Sequence, residues 1–164
     1  MPFILSLKNE PMTNKLTSSK SENVTTLLGW QTFSVNPKIP LDTDPCEDLM
    51  GPFYFRELDG GGRECMFTPT ERHNNNGGNT HGGALMTFAD YALFAHSAHV
   101  RTGPYVTVQF ESQFIGAGVA GIPLYSRGEI IRTTRDLIFV RGVLTQNEKP
   151  ILSYSGIIKK VVPR

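Results

Sequence analysis

The stretch NNGGNTHGGALMTFAD, residues 75–90, joins a polar, glycine-rich loop to the start of an apolar segment. From Gly82 to about Val100 the chain has no proline and no glycine after Gly83, and it is rich in Ala, Leu, Met and Phe. This composition and length predict one long helix. Apolar residues fall on every side of it, so we expect burial all round. A chain of 164 residues has no second layer to cover the far side, which indicates a partner subunit.

Strand patterns lie on both sides of the predicted helix. Residues 53–57 and 64–67 flank the turn-rich Asp59-Gly60-Gly61-Gly62 and predict a β-hairpin. Four more runs follow the helix at residues 105–115, 124–132, 137–144 and 151–161. The predicted order is therefore two strands, one long helix and four strands in a meander. We expect an α+β fold in which one antiparallel sheet packs around the helix.

The part of the chain before this domain is irregular. Residues 1–22 are polar without a period, and residues 25–33 are a short apolar piece with Trp30 as its anchor. Asp44 and Pro45 match an N-cap and a first helical position, so a short helix is expected over 44–50. We expect an N-terminal arm and loop over 1–50, partly flexible, and one domain over 51–164.

Composition excludes several classes of function. The formal net charge is +1, from 16 basic and 15 acidic side chains, so no basic excess attracts nucleic acid or an anionic membrane. Cys46 and Cys65 are too few for a disulfide framework or a zinc site, and we expect neither metal nor cofactor. The longest apolar stretch, residues 84–95, contains Asp90 and is too short to span a bilayer. A cytoplasmic location is the expectation.

The loop and the helix start carry the groups needed for acyl transfer. Gly82 and Gly83 would present backbone N–H groups at the positive end of the helix, which is the arrangement of an oxyanion hole. Asp90 could serve as base or nucleophile, and the Asn75 amide could orient a carbonyl group or a water. Each residue taken alone also fits a structural role, the glycines in a tight turn and Asp90 as a hydrogen-bonded acid. The combination favours chemistry.

The pattern Asn75-x-x-Gly78-x-x-His81-Gly82-Gly83, with Asp90 nine residues after the histidine, resembles the hotdog-fold acyl-CoA thioesterases of the phenylacetate-pathway type. The resemblance covers about residues 53–161. It implies the hotdog fold, a homodimer whose two sheets join, often a dimer of dimers, and hydrolysis of acyl-CoA thioesters.

The resemblance also implies roles for individual residues. Asp90 would be the base or nucleophile, the Gly82 amide the oxyanion donor, and Asn75 the orienting group. Four further residues are expected to contact the substrate: His81, Gly83, Thr107 and Gly78. For His81, a hydrogen bond that fixes the loop is the favoured role. Thr107 stands where some relatives carry a serine near the acid.

Helix geometry adds a constraint to these roles. Eight residues separate Gly82 from Asp90, which is about 12 Å along a helix axis, too far for both to act on one carbonyl carbon. We therefore expect the site to take Asn75 and Gly82 from one subunit and Asp90 from its mate. Two alternatives to a hydrolase stay open: a non-catalytic acyl-CoA binding or sensing module, and a hydratase or dehydratase on the same fold.

Other motifs are weaker. Residues 116–121 read G-x-G-x-x-G, but Pro123 and a strand pattern follow instead of the helix that a dinucleotide site needs. His96 and His99 lack further metal ligands nearby. Several basic residues could meet the phosphates of CoA, and the sequence does not choose among them: Arg127, Arg132, Arg135, Arg141, Lys159 and Lys160.

Overall fold

The computed structural model describes residues 17–18, 25–27, 29–32, 44–59 and 61–162. Within them, one nine-stranded antiparallel sheet packs around one long helix, as predicted. The strands are β1 (Thr17–Ser18), β2 (Thr25–Leu27), β3 (Trp30–Gln31), β4 (Phe53–Glu57), β5 (Arg63–Phe67), β6 (Tyr105–Phe114), β7 (Leu124–Thr133), β8 (Leu137–Gln146) and β9 (Lys149–Lys160). The helices are α1 (Pro45–Met50) and α2 (Gly82–Ser97), with 3₁₀ turns at Glu71–His73 and Ala98–Val100.

The long helix α2 is the element around which the core forms. It begins at the predicted residue, and the 3₁₀ turn after Ser97 carries the chain to Val100. The concave face of the sheet contributes large apolar side chains that are fully buried against it, from β5 and from β7 to β9: Phe67, Leu124, Ile138, Leu144, Leu152 and Ile158. Burial of this apolar area is the main source of stability.

The strand order differs from the predicted meander. β7, β8 and β9 are consecutive hairpins, but β6 pairs with β9, where Phe110 lies opposite Gly156. β7 pairs instead with β5, so the order is β1-β2-β3-β4-β5-β7-β8-β9-β6. The cause is the loop over residues 115–123, which passes the start of α2, where the Thr80 amide donates to the Gly118 carbonyl. β6 therefore ends the sheet, with one edge unpaired among the described residues.

The chain covers more of α2 than the sequence suggests. Besides the sheet, the short helix α1 packs against α2. The sequence does not predict this contact. A narrow stripe along α2 remains accessible to solvent. Met86 is 38% exposed, and Thr87, Asp90 and Phe94 are half-buried. The expected partner subunit would therefore have only a stripe to cover and not half of the helix.

In the N-terminal segment the predicted short helix is present, whereas the sequence does not predict the three short strands β1 to β3. Asp44 caps α1, and its side chain accepts hydrogen bonds from the amides of Cys46 and Glu47 at 3.0 and 3.1 Å. β1 to β3 extend the sheet beyond β4. Trp30 is buried, with its ring 6.0 Å from that of Tyr125, and is the anchor that the sequence predicts. The predicted flexibility of the arm concerns residues 1–16, 19–24, 28 and 33–43, which lie outside the described residues.

A buried polar chain crosses the core between the sheet and the end of α2. The His96 ring nitrogen Nε2 lies 3.1 Å from Ser126 Oγ, which lies 2.6 Å from the Tyr154 hydroxyl. Burial lowers the pKa of His96 to about 4, so its ring is neutral at pH 7. The Tyr154 hydroxyl fits only because Gly142 has no side chain, since a Cβ there would overlap it.

We expect Gly142→Ala to lower the free energy of unfolding by about 1–3 kcal/mol, because overpacking a rigid core forces neighbouring atoms to shift. The measurement is urea unfolding of this variant with and without Tyr154→Leu, which removes both the hydroxyl and the ring carbon Cζ that a Cβ at residue 142 would overlap. The cost of the alanine is expected to be smaller in the leucine background. An equal cost in both backgrounds would contradict the packing explanation.

Candidate active site

The asparagine loop before α2 is closed by its own hydrogen bonds. The Asn75 Oδ1 atom accepts from the amides of Gly77 and Asn79 at 2.8 and 3.3 Å. Gly78 has a φ of +79°, which favours glycine, and its amide donates to the Asn75 carbonyl. The Asn75 Nδ2 group bonds to no other described residue. The side chain thus holds the loop with its oxygen and leaves its N–H groups to an external acceptor.

His81 is the N-cap of α2. Its Nδ1 atom accepts a hydrogen bond from the Gly83 amide at 2.9 Å, so the ring fixes the loop to the helix. The Gly83 amide is therefore engaged within the chain and is not a free oxyanion donor here. Gly78 lines neither of the two cavities described next. Substrate contacts by His81, Gly83 and Gly78 stay predictions.

The Gly82 amide differs from that of its neighbour. No described residue accepts a hydrogen bond from it, and it lies at the positive end of a 16-residue helix. The Phe114 ring packs so closely that a Cβ on Gly82 would lie 2.9 Å from its Cε1 atom. Gly82 therefore offers a backbone donor with no acceptor among the described residues, next to the Phe114 ring. The sequence predicts the donor but not the neighbouring ring.

Two adjoining cavities surround these groups. One, of about 450 Å³, is lined by the loop, the start of α2 and the end of β6, including Asn75, Thr80, Gly82, Leu85, Phe114 and Ile115. The other, of about 480 Å³, lies against the loop itself and includes Asn75 and His81. Asn75 is common to both. The structure therefore places Asn75, His81 and Gly82 close together, and their roles stay predictions.

Asp90 lies elsewhere, two turns further along α2. The Thr107 hydroxyl donates to its Oδ1 atom at 2.7 Å from β6, just before a bulge in that strand. Burial raises the pKa of Asp90, the hydrogen bond from Thr107 opposes that shift, and the charge of Asp44 adds to it. Asp90 lines neither cavity. Within one chain, the acid and the free amide form two separate half-sites.

One further acidic residue, Glu47, is notable in the structure but not in the sequence. Glu47, in the first turn of α1, is half-buried, and its pKa is raised to about 7 by burial and then by Asp44, Asp90 and Asp48. An acidic residue in the first turn of a helix is ordinary, so its type gives no signal. Only the packing of α1 on α2, which the sequence does not show, brings it near Asp90.

The structure also places the other candidate residues, His96 and two of the basic side chains. His96 is buried in the core, and no group of three His, Cys, Asp or Glu side chains among the described residues is arranged to hold a metal ion. Of the basic residues, Arg127 pairs with Glu64 and Arg141 pairs with Glu129.

In the described part of the chain, no helix is long and apolar enough to cross a membrane.

Comparison with known proteins agrees with this architecture. Residues 77–151 match the family model described as Thioesterase superfamily. A Pseudomonas aeruginosa protein named "Putative esterase PA0474" is 31% identical over 117 residues, which cover 70% of this chain and 87% of that protein.

Solved structures share the fold. A mutant of the phenylacetic acid degradation protein PaaI from Thermus thermophilus superposes with a TM-score of 0.63 at 21% identity, covering 72% of this chain and all of that one (100%). The smu.793 protein of Streptococcus mutans UA159, solved bound to acetyl CoA, gives 0.62 at 18% identity, covering 69% and 91%. The chain therefore belongs to the thioesterase superfamily, and it has the hotdog fold in the form that the PaaI proteins share.

Proposed function

We propose that the protein hydrolyses acyl-CoA thioesters to a free acid and CoA. The observation that carries this proposal is the Gly82 amide, a donor without an acceptor among the described residues that faces a cavity shared with Asn75. Such a donor stabilises the negative charge that develops on a carbonyl oxygen under attack. Membership of the thioesterase superfamily and the acetyl CoA bound to the Streptococcus mutans protein support this substrate class.

In the proposed reaction, Asp90 activates a water molecule. Its carboxylate takes a proton as the water oxygen attacks the thioester carbon, and the resulting oxyanion accepts a hydrogen bond from the Gly82 amide. Collapse breaks the C–S bond, the electron pair goes to sulfur, and the thiolate takes up a proton. In a variant, the Asp90 carboxylate attacks directly, expels the thiolate and leaves an anhydride that water then opens.

The two half-sites meet only if two chains combine. Gly82 and Asp90 are about 12 Å apart along α2, and a short aspartate cannot bridge that distance. β6 ends the sheet, and pairing it antiparallel with its copy would extend the sheet and bring two α2 helices together. Val106 and Val108 on β6 are 45% and 52% exposed, so this strand carries apolar surface that a partner could bury. The proposed enzyme is therefore a homodimer with composite sites.

We expect Asp90→Asn to lower kcat by about 10²–10⁴-fold while the fold persists, because the amide cannot act as a base. Release of free thiol is measured across short-chain, long-chain and aryl acyl-CoAs, with Asp136→Asn, an exposed acid in the β7–β8 turn, as the matched control. If Asp90→Asn retains the wild-type rate, Asp90 is structural. If the wild type binds acyl-CoA without releasing thiol, the protein is a binding module, and loss of enoyl absorbance would indicate a hydratase.

We expect Gly82→Val to abolish most activity and to lower the thermal midpoint. Its side chain would block access to the amide and would overlap Phe114, since a Cβ at residue 82 would lie only 2.9 Å from that ring. Adding Phe114→Leu is expected to restore part of the midpoint without restoring activity. Recovery of both together would show that the amide faces no substrate.

The composite site is tested by mixing two inactive variants. In a heterodimer of Asn75→Ala with Asp90→Ala, one site carries both lesions and the other carries neither. Random pairing makes half of the dimers mixed, each with one intact site of two, so co-refolded protein is expected to recover up to roughly a quarter of wild-type activity. Heterodimers confirmed by tagged pull-down but showing no recovery would place all catalytic groups within one chain.

A further inference from the structure

Gln146 is a buried amide on the apolar face of the sheet. It is the last residue of β8, and the alternation of side chains along that strand places it on the same face as Leu144. Only 5% of Gln146 is exposed, and Leu144 is fully buried. Because a buried amide without hydrogen-bond partners lowers stability, the partners of Gln146 account for a polar residue at this position.

The hydrogen bonds of Gln146 all go to the backbone of the loop over residues 115–123. Its Oε1 atom accepts from the Val119 amide at 2.8 Å. Its Nε2 atom donates to the carbonyl groups of Val119 and Ile122 at 2.9 and 2.7 Å, so both of its N–H groups are used. The Val119 residue is itself 47% exposed and does not anchor the loop by burial. Gln146 therefore holds the middle of the loop.

Few other groups hold this loop. Its sequence, IGAGVAGIP, contains three glycines, whose backbone has wide conformational freedom. Backbone hydrogen bonds fix it near its two ends, from the Gly116 amide to the Ile151 carbonyl at 3.1 Å and from the Gly121 amide to the Pro69 carbonyl at 2.7 Å. Within the described part of the chain, Gln146 is the one side chain that hydrogen-bonds to the loop. Without Gln146, the segment between those ends would gain conformational freedom.

The same loop contacts the start of α2. The Gly118 carbonyl accepts a hydrogen bond from the Thr80 amide at 2.8 Å, and a Cβ on Gly118 would lie 3.0 Å from the Thr80 Oγ1 atom. On the other side, the amide of the N-cap residue His81 donates to the His73 carbonyl at 2.7 Å. Thr80 and Gly82 both line the cavity of about 450 Å³. A continuous series of contacts therefore joins the end of β8 to the candidate oxyanion donor.

We propose that Gln146 is a positioning residue for the hydrolysis: its amide fixes the loop over 115–123, the loop fixes Thr80, and Thr80 fixes the direction in which the Gly82 amide points. The inference rests on the proposed function and deepens it. Gln146 lines neither cavity and touches no substrate. It acts at a distance because an oxyanion donor has to lie about 3 Å from the developing charge, and small displacements of such a donor slow the reaction.

The first test is Gln146→Met, which keeps a long side chain and removes all three hydrogen bonds. We expect kcat and kcat/KM for thiol release to fall together by about 10–100-fold, because the misplaced donor weakens an interaction that forms only in the transition state. A variant that keeps the wild-type kcat would overturn the proposal.

The matched control is Ile138→Ala, which opens a cavity at a fully buried residue near the other end of β8. It is expected to lower the thermal midpoint by an amount comparable to Gln146→Met and to keep kcat within about twofold, both variants being assayed well below their midpoints. An equal loss of kcat in the two variants would show that Gln146 has only a structural role.

Gly118→Ala tests the other end of the same series of contacts and carries the test if Gln146→Met does not fold. Its Cβ would lie 3.0 Å from both the Cβ and the Oγ1 atom of Thr80, so Thr80 has to shift. We expect kcat to fall here too, and the double variant with Gln146→Met to lose less than the product of the two single losses. A wild-type kcat in Gly118→Ala would overturn the link from the loop to the site.

A further measurement does not depend on turnover. Hydrogen exchange of the Thr80 amide, followed by NMR without substrate, reports whether its bond to the Gly118 carbonyl opens. We expect this amide to exchange about tenfold faster in Gln146→Met than in Ile138→Ala. Equal exchange in the two variants would overturn the proposal even if the enzyme is active. A wild type that releases no thiol from any acyl-CoA would instead refute the proposed function, and the exchange of Thr80 would still decide whether Gln146 holds the start of α2.

Discussion

The burial of α2 is the constraint on which the rest of the structure depends. Its apolar residues leave no face that water can cover, so the sheet curves around it and α1 closes much of what remains. The helix is also rigid, with a fixed rise for each residue. The same element therefore holds the core together and sets the distance between the Gly82 amide and the Asp90 carboxylate. Stability and chemistry are linked through one helix.

The local features of the fold could be read from the sequence because short-range physics determines them. Asp44 and Pro45 mark a helix start, and the glycine-rich turn at 59–62 marks a hairpin. The position of β6 could not be read in this way. Its pattern is that of any strand with one buried face, and its pairing with β9 is set by the loop at 115–123 passing the helix. Partner choice between strands is a long-range property.

The same distinction between local and long-range features applies to the candidate site. The spacing from Asn75 to Asp90 predicts candidate residues, and helix geometry separates them into two groups. The sequence could not show that His81 accepts from the Gly83 amide, that Phe114 packs on Gly82, or that Glu47 becomes half-buried where α1 packs on α2. Each of these contacts joins residues through tertiary packing, and Glu47 and Phe114 are ordinary residue types for the elements that carry them.

The charges of the two half-sites favour the proposed arrangement on different chains. Burial disfavours ionisation of Asp90, and the negative charge of Asp44 adds to that effect. The start of α2, with the free Gly82 amide, is the positive end of a helix dipole. In the proposed dimer the positive end of one helix approaches the acid of the other, which favours the carboxylate form of Asp90. Assembly would then supply both the oxyanion donor and the charge that keeps the base ionised.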